Sequence, residues 1–252
     1  MAVGSPVGPP ERCHPARPCV MMTTMARDAP PMPLAYRVVL AVGGPIMTRW
    51  SRMEVRGLDC LPQHGPVLIV GDHDSYWDPI AIAVASRDVR PIRALAKSSL
   101  WHNKVVAAFM NGMGHIPVER GASNAGAMAS AEAELRRGAC IGIFPEGTRS
   151  LGRELPARSG VGRLAAAVPE ATVVCVRTNG SVDVVRLPKR PRVVLEFYLP
   201  AGGQLQPGET AIAFSRRLLA ELRAGAPREI PGRKRTVARY RAACDREPSG
   251  AA

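Results

Sequence analysis

Apolar positions along the chain fall into short runs separated by stretches of helical period. VLIVG (Val67–Gly71), IRALA (92–96), HIPVE (115–119), CIGIF (140–144), TVVCVRT (172–178) and VVLEFYL (193–199) read as strands. Between them, residues 79–86, 98–111, 123–137 and 160–168 space their apolar side chains as helices do, and a further helix runs from 210 through 223. Several strands are apolar on both faces, the pattern of a sheet covered by helices on each side. The prediction is therefore α/β: a single domain with a central mixed, largely parallel sheet covered by helices.

The flanks differ from this core. Residues 1–33 are crowded with Pro, Met and small residues without an apolar period, which predicts a disordered N-terminal tail. LAYRVVLAVGGPIMTRW (34–50) is apolar but broken by Arg37, Gly43, Gly44 and Pro45, well short of the ~20 residues a bilayer span needs. Its ends carry Tyr36, Arg37, Arg49 and Trp50, residue types that settle at a lipid headgroup boundary. An N-terminal interfacial helix and a core helix packed on the domain are both consistent with it. The resulting division is a tail (1–33), an apolar helix and connector (34–65), the α/β core (66–210) and a basic helical C-terminal segment (211–252).

Charge narrows the partners. Thirty-four Lys and Arg against 21 acidic residues leave a net charge of +13, which favours polyanions: nucleic acid, anionic lipid or phosphorylated substrates. Aromatics make up only 4% of the chain and do not alternate with basic residues, which disfavours stacking on single-stranded nucleic acid. The Arg-dense stretch GRKRTVARYRAACDRE (232–247) reads either as a solvated helix face or as an electrostatic foot on an anionic membrane. Cys140 and Cys175 lie inside apolar runs, as buried thiols of a reduced protein do.

Candidate chemistry concentrates in three segments. In VLIVGDHDSYWDPI, His73 and Asp78 follow a strand directly. Positions five apart in a helix point about 140° away from each other, so the two can meet only across a turn, with Pro79 opening the next helix. A carboxylate on one imidazole nitrogen fixes the tautomer and raises the basicity of the other, making His73 a candidate general base. FPEGTRS (144–150) ends a second strand in a turn carrying Glu146, Gly147, Thr148 and Arg149, a place where α/β sheets bind ligands and where Arg with backbone N–H suits phosphate. GHIPVERG (114–121) again puts an Arg at a strand end. No three-residue set near His73 has a spacing that compels a metal.

In this order and spacing the three segments resemble the phospholipid/glycerol acyltransferase family, 1-acyl-glycerol-3-phosphate acyltransferases among them, from about residue 66 to 180. The pattern N-H-x-S-x-x-D is met by His73, Ser75 and Asp78, with Asp72 where Asn is usual. G-x-I-x-V-x-R is met by Gly114, Ile116, Val118 and Arg120, and F-P-E-G-T-R-S without change from Phe144 to Ser150. Val174-Cys175-Val176 stands where V-P-V is usual, and Arg158-Ser159-Gly160 where K-x-G is.

The resemblance implies acyl transfer from acyl-CoA or acyl-carrier protein to the free hydroxyl of 1-acyl-glycerol-3-phosphate, giving phosphatidic acid, with no cofactor and no metal. His73 and Asp78 would be catalytic; Ser75, Gly114, Arg120, Glu146, Gly147, Thr148 and Arg149 would form the substrate site. Another lysophospholipid, glycerol 3-phosphate or a lipid-linked alcohol are alternative acceptors. The expected partner surface is an anionic membrane, the expected place the cytoplasmic face of the cell membrane in a peripheral or monotopic attachment, and no nucleic acid is expected. A non-catalytic basic binding protein would explain the charge but not the three segments. A hydrolase using His73 with Ser75 lacks the strained elbow around its serine.

Overall fold

The computed structural model describes residues 32–119, 124–186, 188 and 190–230. The predicted tail, save its last two residues, the 232–247 basic stretch and Arg120 lie outside them. Seven strands form one sheet: β1 (Glu54–Arg56), β2 (Val67–Gly71), β3 (Arg93–Lys97), β4 (Ile116–Val118), β5 (Cys140–Ile143), β6 (Thr172–Asn179) and β7 (Val194–Tyr198), in the order β1-β7-β6-β2-β5-β3-β4. Every pair is parallel except β6 with β7. This is the mixed, largely parallel sheet that the doubly apolar strands predict.

β2 lies at its centre with all five residues buried. Its alternate residues feed two different cores. Leu68 and Val70 join Ile141, Val173 and Cys175 on one face, under Leu135 of α4 (Ala125–Arg136), Val161 and Leu164 of α5 (Gly160–Ala167), and Phe214, Leu218 and Leu222 of α6 (Ala211–Gly225). Val67 and Ile69 join Val174, Val176, Leu195 and Phe197 on the other, under Ala81, Ile82 and Val84 of α2 (Asp78–Ala85) and Met47. Fully burying one such side chain stabilises by roughly 1.5–3 kcal/mol, so a polar residue at any β2 position would cost one core or the other.

α5 and α6 approach unusually closely because residue 162 is glycine: a Cβ there would stand 2.1 Å from the carbonyl oxygen of Ala211. α6 is amphipathic, capped by the Thr210 side chain accepting from Ala213 N–H, and it sits on the core.

The 34–50 segment forms α1 (Leu34–Pro45), continued by a wider turn over Ile46–Trp50. Tyr36, Gly43 and Gly44 are buried, whereas Leu34, Val38 and Val42, one turn apart, are exposed at 75, 46 and 64%. The helix thus has both a packed and an open apolar side, and α3 (Lys104–Gly112), begun by the Asn103 cap, lies next to it. Among the described residues no helix is long and apolar enough to cross a membrane.

Candidate active site

The junction between β2 and α2 builds the first wall. Gly71 ends the strand and the chain turns through Asp72–Trp77 before Pro79 sets the first turn of α2. Asp78 closes this turn on itself. One of its carboxylate oxygens, Oδ2, accepts from His73 Nδ1 at 2.9 Å and from the backbone N–H groups of Asp74 and Ser75, each at 2.8 Å. The other, Oδ1, accepts from the hydroxyl of Ser181. His73 and Asp78 meet across a turn, as their spacing requires. With Nδ1 donating to the carboxylate, Nε2 is the nitrogen left for a substrate.

Asp78 is fully buried, while the His73 side chain keeps 15% of its surface open and its ring stacks on Phe144, centroids 4.2 Å apart. That contact ties the β2–α2 turn to the turn after β5. Gly147 there adopts φ +68°, and the Arg158 side chain lies where a Cβ at residue 147 would point, so a larger residue would meet both backbone strain and a collision. Arg149 projects over the ring of the exposed Tyr76, 3.6 Å from its centroid.

Behind this rim lies a buried polar network. Arg223, from the last turn of α6 and only 5% exposed in its side chain, bonds Asp74 through both terminal nitrogens at 2.9 Å. The same guanidinium holds Glu146 through Nε at 3.1 Å and Nη2 at 2.5 Å. Ser150 donates its hydroxyl to Asp74 and its N–H to the His73 carbonyl at 2.8 Å. Burial would depress the Arg223 pKa, but its bonds to Asp74 and Glu146 hold it above the ordinary value. Burial raises the carboxyl pKa of Glu146, against the pull of Arg223. Asp72 is displaced furthest: burial, then the nearby Asp78 charge, hold its carboxyl well above the usual range. Its Oδ1 accepts from Thr178 N–H at 2.9 Å, and its buried Oδ2 has no hydrogen-bond partner.

A cavity of about 790 Å³ opens between these walls. His73, Tyr76, Gly147, Thr148 and Arg149 line its rim together with Lys97, Arg158 and Arg163; its interior is walled by apolar side chains such as Ile69, Ile80, Ile92, Leu95, Phe109 and Met113. No Asp or Glu is among the lining residues. His115 also faces it, with Nδ1 accepting from Ala94 N–H at 2.9 Å and burial pushing its pKa down to about 4, so it is neutral there.

The expected site residues thus fall into groups. His73, Gly147, Thr148 and Arg149 line the cavity, and Asp78 backs His73. Ser75 is buried, with its hydroxyl accepting from Trp77 N–H at 3.2 Å; Glu146 is 2% exposed and turned to Arg223; Gly114 makes a φ +70° turn beside Arg93. None of these three lines the cavity. The reason for the first two is their engagement in the turns themselves, which leaves no surface for a ligand. Arg120 is outside the described residues. Lys97, Arg163, Ser181 and Arg223 join the site from outside the three motif segments. Lys97 could have been found as a cation at a strand end, as Arg120 and Arg149 were, whereas nothing local marks Ser181 or Arg223. No group of three His, Cys, Asp or Glu among the described residues could hold a metal ion.

The family model described as Acyltransferase matches residues 52–179. A 1-acyl-sn-glycerol-3-phosphate acyltransferase of Bacillus subtilis is 26% identical over 170 residues, 68% of this chain and 71% of that protein. One from Borreliella burgdorferi is 36% identical over 103 residues, and the match spans only 40% of either chain. Among solved structures, the 1-acyl-sn-glycerophosphate acyltransferase PlsC of Thermotoga maritima superposes with a TM-score of 0.57 over 75% of this chain and 80% of that one, at 21% identity, a likeness of fold.

Proposed function

The chain belongs to the acyltransferase family, and on that premise we propose that it moves a fatty acyl group from the thioester of acyl-CoA or acyl-carrier protein to the free hydroxyl of 1-acyl-glycerol-3-phosphate, giving phosphatidic acid. One observation carries the reading: a His73–Asp78 pair stands where an apolar cavity meets a rim of four cations without a carboxylate, Lys97, Arg149, Arg158 and Arg163. Such a cavity suits a ligand with a hydrocarbon body and a phosphate head.

His73 Nε2 takes the proton of the acceptor hydroxyl as its oxygen attacks the thioester carbon, and Asp78 stabilises the resulting imidazolium through Nδ1–H. Collapse of the tetrahedral intermediate breaks the C–S bond. The imidazolium returns the proton to the departing thiolate, so no acyl-enzyme forms and the histidine ends neutral. Proton transfer of this kind contributes typically roughly 10²–10⁴-fold; the cationic rim supplies the rest by fixing the acceptor phosphate, through Arg149, Thr148 and the Gly147 turn. The exposed Leu34, Val38 and Val42 side of α1 provides a peripheral footing on an anionic membrane at the cytoplasmic face.

The test is purified protein with oleoyl-CoA and lysophosphatidic acid in mixed micelles, following thiol release and phosphatidic acid by mass spectrometry. His73→Ala should remove turnover while the far-ultraviolet spectrum is retained. Turnover in that variant within tenfold of the unmodified chain would overturn the assignment of the base.

A further inference from the structure

We infer that Arg223 is a positioning residue for acyl transfer, a guanidinium clamp that holds the His73 turn and the Gly147–Arg149 turn at their working separation. The inference rests on the reading above for its kinetic part only. The two turns belong to different strands, β2 and β5, and each offers one buried carboxylate to the same side chain: Asp74 from the first and Glu146 from the second. Asp74 is the immediate neighbour of His73, and Glu146 that of Gly147. A planar fork that bonds both fixes distance and orientation together, which a point charge cannot do.

The clamp comes from outside the two walls that it joins. Arg223 lies beyond residues 52–179, which the family model covers, and reaches the site from α6. Two further bonds close the same corner: Ser150, six residues after Phe144, donates its N–H to the His73 carbonyl, and Glu229 N–H reaches Asp74 Oδ2 at 3.0 Å. The helix that carries Arg223 is anchored by its buried face, with Leu218 and Leu222 in the core. None of these groups lines the cavity, so Arg223 acts on the reaction through the turns and touches no substrate.

Arg223→Lys keeps the charge and removes the fork. Hydrogen–deuterium exchange on the full chain should then quicken at least tenfold in residues 73–78 and 144–152 together, while β6 and α5 keep their protection, and kcat should fall at least tenfold at saturating donor and acceptor. Glu146→Gln should free 144–152 alone, and it reads the same clamp should the lysine variant not fold. Methylguanidine added to Arg223→Ala should restore protection in both turns, a response that a purely packing role would not give. Unchanged exchange in both turns, acceleration confined to α6, or a uniform loss of protection across the chain would each overturn the inference. Absence of acyl transfer in the unmodified protein would remove the reaction assigned above, and the exchange pattern would still decide whether Arg223 holds the two turns.

Discussion

Asp78→Asn separates the charge of the site from its shape. The asparagine carbonyl can occupy the Oδ2 position and keep accepting from His73 Nδ1, Asp74 N–H and Ser75 N–H, now bonded at 2.9, 2.8 and 2.8 Å. Its amide then faces Ser181, whose hydroxyl turns from donor to acceptor. The fold of the turn should therefore survive. What disappears is the counter-charge that the imidazolium meets when His73 holds the proton. Charge centres about 4 Å apart at an effective dielectric of about 20 attract by about 4 kcal/mol, and at about 1.4 kcal/mol per decade this is roughly a 10³-fold loss of kcat. The acceptor KM should change little, because the cationic rim is untouched. The assay is thiol release under saturating donor and acceptor, with the unfolding midpoint measured on the same preparation. A folded variant within tenfold of the unmodified kcat would refute the argument that Asp78 acts through its charge.

Other predictions address the surroundings. The Asp72 carboxyl is held by burial well above the ordinary carboxylate range, so its contribution to stability is complete below about pH 4 and is lost as pH rises through the folded value. Asp72→Asn should accordingly raise the thermal midpoint more at pH 8 than at pH 5, by about 2–4 °C for each kcal/mol; an equal shift at both pH values would contradict this. Gly162→Ala places a Cβ 2.1 Å from the Ala211 carbonyl oxygen, and chemical denaturation should show a loss of about 1–3 kcal/mol. Paired Val38→Asp and Val42→Asp should reduce co-sedimentation with phosphatidylglycerol vesicles at least tenfold while turnover on micellar substrate persists, and unaltered sedimentation would dismiss α1 as the footing.

Legibility followed how local each feature is. VLIVG spans β2 residue for residue because a short apolar run bounded by turn signals is the pattern of a strand buried on both faces, and five further runs coincide with strands within one residue at either end. β1 was missed: EVR is three residues long at the sheet edge and carries no alternation to read. The His73–Asp78 meeting was legible from spacing plus Pro79. The fate of the remaining polar residues was not, since whether Glu146 faces a ligand or an arginine depends on α6, for whose close approach to α5 Gly162 leaves room. The 210–223 stretch reads as a helix, but its pattern does not say that Arg223 in its last turn delivers a guanidinium to a buried corner of the site. Arg120 falls where the described chain is interrupted, so its expected role stands apart from these comparisons.

The bond from Ser181 to Asp78 has a consequence for biosynthesis. A nascent polypeptide that has left the ribosome as far as Ser150 already displays the three motif segments, yet lacks the hydroxyl that bonds Asp78 and the guanidinium that pairs with Asp74 and Glu146. Its Asp74, Asp78 and Glu146 carboxylates would still lack both those partners and the strand and helices that bury them. The bonds that fix the His73 turn can therefore all be present only after β6 and α6 have been synthesised and have packed in place.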